Sequence, residues 1–320
     1  QPADAPPVPG RAEQVAPGIR RILCDNPSPF TYLGTNSYIL GSGGGVAVVD
    51  PGPVNDAHLR ALLGALAPGE HVSHILITHL HSDHSPLARP LAEATGAPVL
   101  AYGGPAAGQS PVMQALALQG GLGGGEGTDA GFVPDATIAD GEVIAGDGWR
   151  VEAIWTPGPH NTHLAFDVDT GDGFGTVLCG DHVMGWSTSV ISPPDGDMTA
   201  YMASLRKLLA RDDALYRPTH GTHIDAPRPF VEAFIAHRED RERQIARCLD
   251  DGVGGAEAVV AGHAHAALGE GRDVRVGGQR GGVHLETVPQ HHQNVWAKAG
   301  IGLGKADGPQ SHGLGNSLRR

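Results

Sequence analysis

Residues 78–86 read THLHSDHSP, which places His79, His81, Asp83 and His84 within six positions. With 18 histidines in 320 residues, H-x-H-x-D-H arises by chance in about 0.4% of chains of this composition. Imidazole nitrogens and carboxylate oxygens are the donors that divalent zinc takes. His79 and His81, two apart on extended chain, can face the same side. Asp83 and His84 lie just beyond, where the chain turns, and can face a second ion. One short segment thus offers four ligands for two metals.

Further donors should come from other strand ends, and the sequence supplies them. TPGPHNTH follows a strand-like run and carries His160 and His163. VLCGDHV ends at Asp181 and His182, and LYRPTHGTHI carries His220. Each lies where a buried strand opens into a loop, the rim on which α/β sheets build ligand sites.

The elements that must hold these residues are legible as alternating apolar runs and punctuation. NSYILGSGGGVAVVDPG predicts two strands joined by a glycine turn, ending at Asp50-Pro51-Gly52. DAHLRALLGALA has helical apolar spacing, and HVSHILIT is a short buried strand leading into the histidine cluster. Ser85-Pro86 has the form of an N-cap followed by proline at the first helical position. APVLAYG, WRVEAIW, HLAFDV, TVLCGD and ALYRP predict further strands, MTAYMASLRKLLA a helix, and residues 227–249 a long one. The glycine-rich stretch 103–135, with a short helix near Met113–Leu118, is long for a loop inside one domain, which marks it as functional or mobile. An α/β layered domain follows from this alternation. It is bounded as a catalytic domain over 15–250, with a flexible segment over 1–14. Residues 251–320 hold 16 glycines, six histidines and one aromatic, and are expected to be a weakly ordered appendage.

No run approaches the roughly 18 apolar residues of a membrane span, so no membrane partner is expected. Three widely spaced cysteines fit a reduced, cytoplasmic setting. The net charge of −13 opposes generic attraction to nucleic acid. The start, QPADAPPVPG, shows no secretory pattern.

Taken together, H-x-H-x-D-H with a later His, an Asp and a last His resembles the metallo-β-lactamase superfamily over roughly residues 15–245. The resemblance implies a four-layer αββα sandwich with metals at one edge of its two sheets. Carried over by residue, it implies His79, His81 and His160 at a first metal, and Asp83, His84 and His220 at a second, with Asp181 bridging. Two zinc ions are the usual occupants; manganese and iron also occur. NPSPFTYLGTNSYILG, HSDHSP, GDHVMGWSTSVISPP and THGTHI are similar to the β-lactamase-like-protein subgroup, which includes endoribonucleases of single-stranded RNA. Two departures stand out. The family writes T-P-G-H, whereas Pro159 fills that histidine's slot and His160 follows it, leaving His163 as a rival ligand. The helical C-terminal extension of the subgroup is not visible after residue 250, as a frame slip in the gene would produce.

The chemistry implied is hydrolysis by a hydroxide held between two ions, with Asp83 orienting the water. The expected substrate is a small ester, thioester, lactone or amide. The alternatives are an endoribonuclease or phosphodiesterase on RNA, a mononuclear-iron persulfide dioxygenase, and a non-enzymatic metal- or ligand-binding module. Loops 103–135 and 185–199 would shape the substrate pocket. His182 is expected to pack against the ligands or to serve as an alternative ligand, Cys179 to be a small buried hydrophobe, His223 to lie on the surface, and the basic helix Arg238–Arg247 to be a solvated face. Oligomeric state and the identity of the substrate do not follow from the sequence.

Overall fold

A computed structural model describes residues 6–119, 127–173 and 175–251. Seven strands run in chain order across the first sheet: β1 (Ala12–Ala16), β2 (Ile19–Leu23), β3 (Asn36–Leu40), β4 (Gly45–Val49), β5 (His71–Leu76), β6 (Val99–Ala101) and β7 (Ala136–Thr137). The second sheet has the order β12-β11-β10-β9-β8, built from β8 (Val143–Gly146), β9 (Trp149–Trp155), β10 (Leu164–Asp169), β11 (Thr176–Gly180) and β12 (Leu215–Pro218). Helices α1 (Asp56–Gly64) and α2 (Ala88–Thr95) follow β4 and β5, α3 (Pro111–Gln119) follows β6, and α4 (Met198–Leu209) and α5 (Pro227–Asp250) flank β12 in sequence.

Strand β4 shows why its run GVAVV is apolar throughout. Val46 and Val48 pack with Leu62 of α1 and Leu91 of α2. Ala47 and Val49 point the other way, into a core shared with Val151, Phe166 and Leu178 of the second sheet. The period-2 alternation therefore buries both faces, giving a sheet between helices and a second sheet. The second sheet is covered in turn by α4, whose Tyr201, Leu205 and Leu208 are buried. Ser204 Oγ of that helix donates to Pro157 O at 2.7 Å. The αββα order expected from the sequence is the order observed.

The sequence pattern left β1, β2, β7 and β8 unmarked. β1 is a half-exposed edge strand and β8 has one buried residue, so neither carries a clean apolar alternation. Strand β1 begins at Ala12, inside the 1–14 segment expected to be flexible. Residues 252–320 of the expected appendage lie outside the described residues. Ser85 is not the cap of α2: the helix starts at Ala88 with Leu87 in the cap position. The Ser85 hydroxyl instead donates to Asp129 Oδ2 at 3.2 Å, because residues 84–87 form a turn that carries the ligand loop away from the sheet.

The two sheets meet at one edge. Leu164 N donates to Thr78 O at 2.7 Å and Asn36 N to Thr219 O at 2.7 Å. Tyr38 OH donates to Pro218 O at 2.7 Å. The C-terminal ends of β5, β9, β11 and β12 open at this seam. They carry the histidines and aspartates singled out above.

Candidate metal centre

Two groups of donor atoms form at the seam: His79, His81 and Asp181, and Asp83, His84 and His220, each group within 4.8 Å and buried. His220 Nε2 lies 3.0 Å from Asp83 Oδ2 and 3.4 Å from Asp181 Oδ2. His84 Nε2 lies 3.5 Å from Asp83 Oδ2 and 3.4 Å from Asp181 Oδ2. Donors at about 2.1 Å from one tetrahedral ion stand about 3.4 Å from each other. The second group has that spacing. Asp181 Oδ2 also lies 3.8 Å from His79 Nε2, so one carboxylate oxygen faces both groups.

The polar census points the same way. Asp83 Oδ1 and Oδ2, His84 Nε2, His160 Nε2, Asp181 Oδ1 and His220 Nε2 are all buried without a hydrogen-bond partner. Buried polar atoms in folded proteins are overwhelmingly paired, and each exception needs a cause. Six of them from four strand ends fit divalent cations as the missing partners.

The opposite ring nitrogens are tied to the protein, which sets the tautomers. His84 Nδ1 meets Asp50 Oδ2 at 3.0 Å, and His220 Nδ1 meets Gly34 O at 3.1 Å. His79 Nδ1 meets Thr78 Oγ1 at 3.0 Å, and that hydroxyl donates to Asp50 Oδ2 at 2.6 Å. In the neutral ring, an Nδ1–H held in this way leaves Nε2 as the nitrogen that takes a metal, as in carboxylate–histidine–metal arrangements. Asp50 also accepts from Thr78 N at 2.8 Å and from Thr219 Oγ1 at 3.3 Å. It joins the ends of β4, β5 and β12 beneath both groups. By sequence alone Asp50 reads only as a strand-ending turn residue. Its left-handed φ of 47° marks a backbone held in an uncommon conformation.

His160 and His163 separate cleanly. His163 uses both nitrogens inside the protein: Nδ1 meets Thr156 Oγ1 at 2.9 Å, and Nε2 accepts from Asp181 N at 3.1 Å. A Cβ at Gly180, whose φ is 53°, would stand 2.5 Å from that Nε2, so glycine is required there. His160 Nδ1 meets the Thr162 hydroxyl at 2.9 Å while Nε2 has no partner. Its ring centroid is 5.2 Å from that of His81 and 6.1 Å from that of His79, beside the first group rather than within its tightest cluster. The Pro159 displacement leaves one imidazole, that of His160, beside the first group with its Nε2 unpartnered. His160→Ala is expected to lower metal content with little loss of stability. His163→Ala is expected to cost about 1–3 kcal/mol by unpairing buried groups. Thermal unfolding and elemental analysis of the two variants separate these outcomes.

His182 is buried, packs its ring 4.7 Å from Tyr201, and lies outside both donor groups. Cys179 is fully buried with its thiol on Val183 O at 3.2 Å. His223 pairs with Asp225 at 3.3 Å on the surface. One expectation is corrected. Arg238 is not on a solvated face: it sits over the Tyr201 ring at 5.4 Å and donates to Ser189 O. Ser189 Oγ in turn donates to His182 O at 2.9 Å, tying α5 to the Asp181–His182 turn.

Electrostatics divide the two groups. Burial, aided by neighbouring imidazoles, holds His79 and His160 well below the usual histidine range, so both are neutral. Burial opposes charge on His84 and His220 too, but the surrounding carboxylates outweigh it. His84 is raised well above its usual value by Asp83, Asp181 and Asp50, and His220 to about 10 by Asp181 and Asp83. Asp181 is itself held well below its usual value, where burial is outweighed by His220 and His84. Protons here supply the positive charge that an ion would bring.

The loops named from sequence meet over this site. Ser82 N donates to Gly127 O at 3.0 Å, and Thr128 forms a bridge with His81. Thr128 Oγ1 then donates to Asp195 Oδ2 at 2.6 Å, joining the 103–135 loop to the 185–199 loop. Among the described residues, no helix is long and apolar enough to cross a membrane.

Comparison with known proteins agrees with the fold. The chain is 30% identical over 255 residues to an atrochrysone carboxyl ACP thioesterase of Paecilomyces divaricatus, covering 78% of this chain and 70% of that one. It is 29% identical to a lactamase-like protein of Aspergillus niger (78% and 69% covered). It is also 29% identical to a β-lactamase-like protein 2 homolog of Caenorhabditis elegans (75% and 73% covered). Among solved structures, a β-lactamase domain protein from Burkholderia ambifaria superposes with a TM-score of 0.61 at 23% identity, over 77% of this chain and 82% of that one. A metallo-β-lactamase family protein from Thermus thermophilus gives 0.57 at 23% identity, over 74% and 84%. The sequence profile of the metallo-β-lactamase superfamily matches residues 31–220, from the loop before β3 to the last histidine of the donor set. With that span matched and this sandwich fold, the chain belongs to the metallo-β-lactamase superfamily.

Proposed function

We propose that this chain is a dinuclear metal-dependent hydrolase acting on a thioester. Small esters, lactones and amides form the wider class. The observation that carries the hydrolase reading is the convergence of buried donors, several of them unpartnered, on two adjacent groups. The choice of thioester is supported by relatives named as ACP thioesterases, in Paecilomyces divaricatus and Aspergillus fumigatus.

His79, His81 and His160 would hold one ion, Asp83, His84 and His220 the other, and Asp181 would serve both. Zinc suits this nitrogen-and-carboxylate set, and manganese or iron would also be accepted. Bound divalent ions supply Lewis acidity and, by lowering the pKa of water to about 7, a nucleophile at neutral pH. The chain's own groups position the reaction. Asp83 has two unpartnered oxygens; Oδ2 faces His84 and His220. Its other oxygen is free to accept a hydrogen bond from the attacking water and hold it toward the carbonyl. Asp50 and Thr78 fix the imidazoles, so the donor geometry needs no rearrangement as charge develops.

The test is hydrolysis of N-acetylcysteamine thioesters, p-nitrophenyl acetate and a γ-lactone by purified protein, with and without a chelator. Chelator-sensitive turnover of the thioesters above the other substrates supports the reading. Salt-sensitive RNA cleavage without thioester turnover would replace it with the nuclease alternative, which the charge of −13 disfavours.

A pH dependence follows from the protons at His84 and His220. In the metal-free protein the His220 pKa, about 10, lies above its unfolded value near 6.5. Its contribution to metal-free stability is therefore complete below about pH 6.5 and is lost as pH rises toward 10. Ligation needs the neutral ring, so metal displaces that proton and the one on His84. Apparent metal affinity is expected to rise with pH between 6 and 8, by about tenfold per unit for each proton released. Competition with a chromophoric chelator across this range measures the slope.

A further inference from the structure

Next to the turn that carries His160 lies a cavity of about 210 Å³ whose lining includes Met113, Trp155, Pro157, Asn161, Pro194 and Ala200. We infer that this cavity, set between the 103–135 and 185–199 loops, is the subsite for a compact apolar acyl group of the substrate, about the size of phenylacetyl. The inference rests on the thioesterase reading and deepens it by naming the acyl class.

Position is the first argument. Gly158 and Asn161 line the cavity and flank His160 in sequence. Asp195, on the opposite loop, also lines it and holds Thr128, the residue bridged to His81. The cavity thus adjoins the turn that carries His160 and the loop tied through Thr128 to His81. From a carbonyl at the donor groups, this is the space into which the acyl substituent would extend.

The chemistry of the wall is the second argument. Most of its polar side-chain atoms are already engaged with the protein, Asn161 Oδ1 being an exception. Gln109 Nε2 donates to Pro194 O at 3.1 Å, and Ser110 Oγ to Asp197 Oδ2 at 2.9 Å. Asp197 also caps α4, and Asn161 Nδ2 donates to Pro105 O and Ala107 O. What these bonds leave is the surface of Met113, Trp155, Pro157, Pro194 and Ala200. Trp155 is itself braced, stacked on Tyr102 with ring centroids 5.0 Å apart and bonded through Nε1 to Asn161 O at 3.1 Å. The amide-bearing thiol arm of a thioester would find few free partners here, whereas an aryl or branched alkyl group would bury its surface without unpairing anything.

Size is the third. A dry cavity of about 150 Å³ takes benzene, so one of this size takes roughly eight non-hydrogen atoms. The benzyl part of phenylacetyl fits within that count, its carbonyl lying at the donor groups; the methyl of acetyl leaves most of the space unused.

Two measurements on the metal-loaded full chain test this. Titration with phenylacetamide, a neutral probe lacking a carboxylate to bind metal, should quench tryptophan fluorescence. Ala200→Phe, which fills the cavity, and Trp155→Phe, which removes the reporter, should each abolish the quenching. In parallel, the ratio of kcat/KM for phenylacetyl over acetyl N-acetylcysteamine thioester should fall about tenfold or more in Ala200→Phe. Ala200→Leu should give an intermediate ratio, and it decides the matter if the larger side chain prevents folding. An unchanged ratio and undiminished quenching in a folded Ala200 variant overturn the subsite. If wild type hydrolyses no thioester but quenching persists and is lost in Ala200→Phe, the thioesterase reading fails while the apolar subsite stands.

Discussion

Replacing Asp181 with alanine is expected to remove at least one bound ion per chain and to lower thioester turnover by roughly 10³-fold or more, because members of one catalytic unit fail together. The reason is position. Its Oδ2 is 3.4 Å from both His84 and His220 and 3.8 Å from His79, so this one carboxylate oxygen faces both donor groups. The fold should survive the change, because the Asp181 backbone is held independently of its side chain. Its N–H donates to His163 Nε2, and its carbonyl accepts from the Ser189 hydroxyl. Elemental analysis with a circular dichroism spectrum separates loss of metal from loss of structure. Full metal content and full turnover in this variant would show that Asp181 is not shared between the ions.

The second large effect is expected at Asp50, which touches no substrate. Asp50→Asn keeps the size and tolerates the left-handed φ of 47°. It places an NH₂ where a carboxylate oxygen now accepts from Thr78 Oγ1 and His84 Nδ1. A donor facing His84 Nδ1 favours the tautomer with the proton on Nε2, the nitrogen that must be bare to bind metal. The expected outcome is a 10–100-fold weaker second ion, the range typical when a ligand's supporting hydrogen bond is lost. Asp50→Ala should go further, destabilising the protein by about 3–5 kcal/mol, since it strands a buried charged imidazole and several donors. Metal titration by calorimetry and denaturant unfolding read the two effects. A second ion bound with wild-type affinity in Asp50→Asn would remove Asp50 from the account.

The contrast between Asp181 and Asp50 shows what was legible beforehand. Asp181, His220 and the His79–His84 run sit at ends of apolar strands in a spacing that metal chemistry explains, so residue type and context reveal them. Asp50 also ends a strand, yet its role depends on β4 lying parallel beside β5 and on β12 approaching from the other sheet. Neither pairing is written in local periodicity. The choice between His160 and His163 was open for a similar reason. Both imidazoles follow the same strand, and only the hydrogen bonds of His163 to Thr156 and Asp181 show which ring is already engaged. Arg238 was misjudged because its acidic neighbours Glu239 and Asp240 suggested a solvated face, while the helix rotates this residue onto Tyr201. Strands β3 to β6 and β9 to β12 were readable because each carries several buried apolar residues. The short, largely exposed strands β1, β7 and β8 carry no such signal.

The central claim is that two ions held by one contiguous site do the work. It is tested most directly by stripping purified protein with a chelator and restoring zinc in steps while following phenylacetyl or acetyl thioester hydrolysis. The account predicts turnover that saturates at two equivalents per chain in wild type, with no such recovery in the Asp181→Ala variant. Saturation at one equivalent, or turnover that survives stripping, would contradict it.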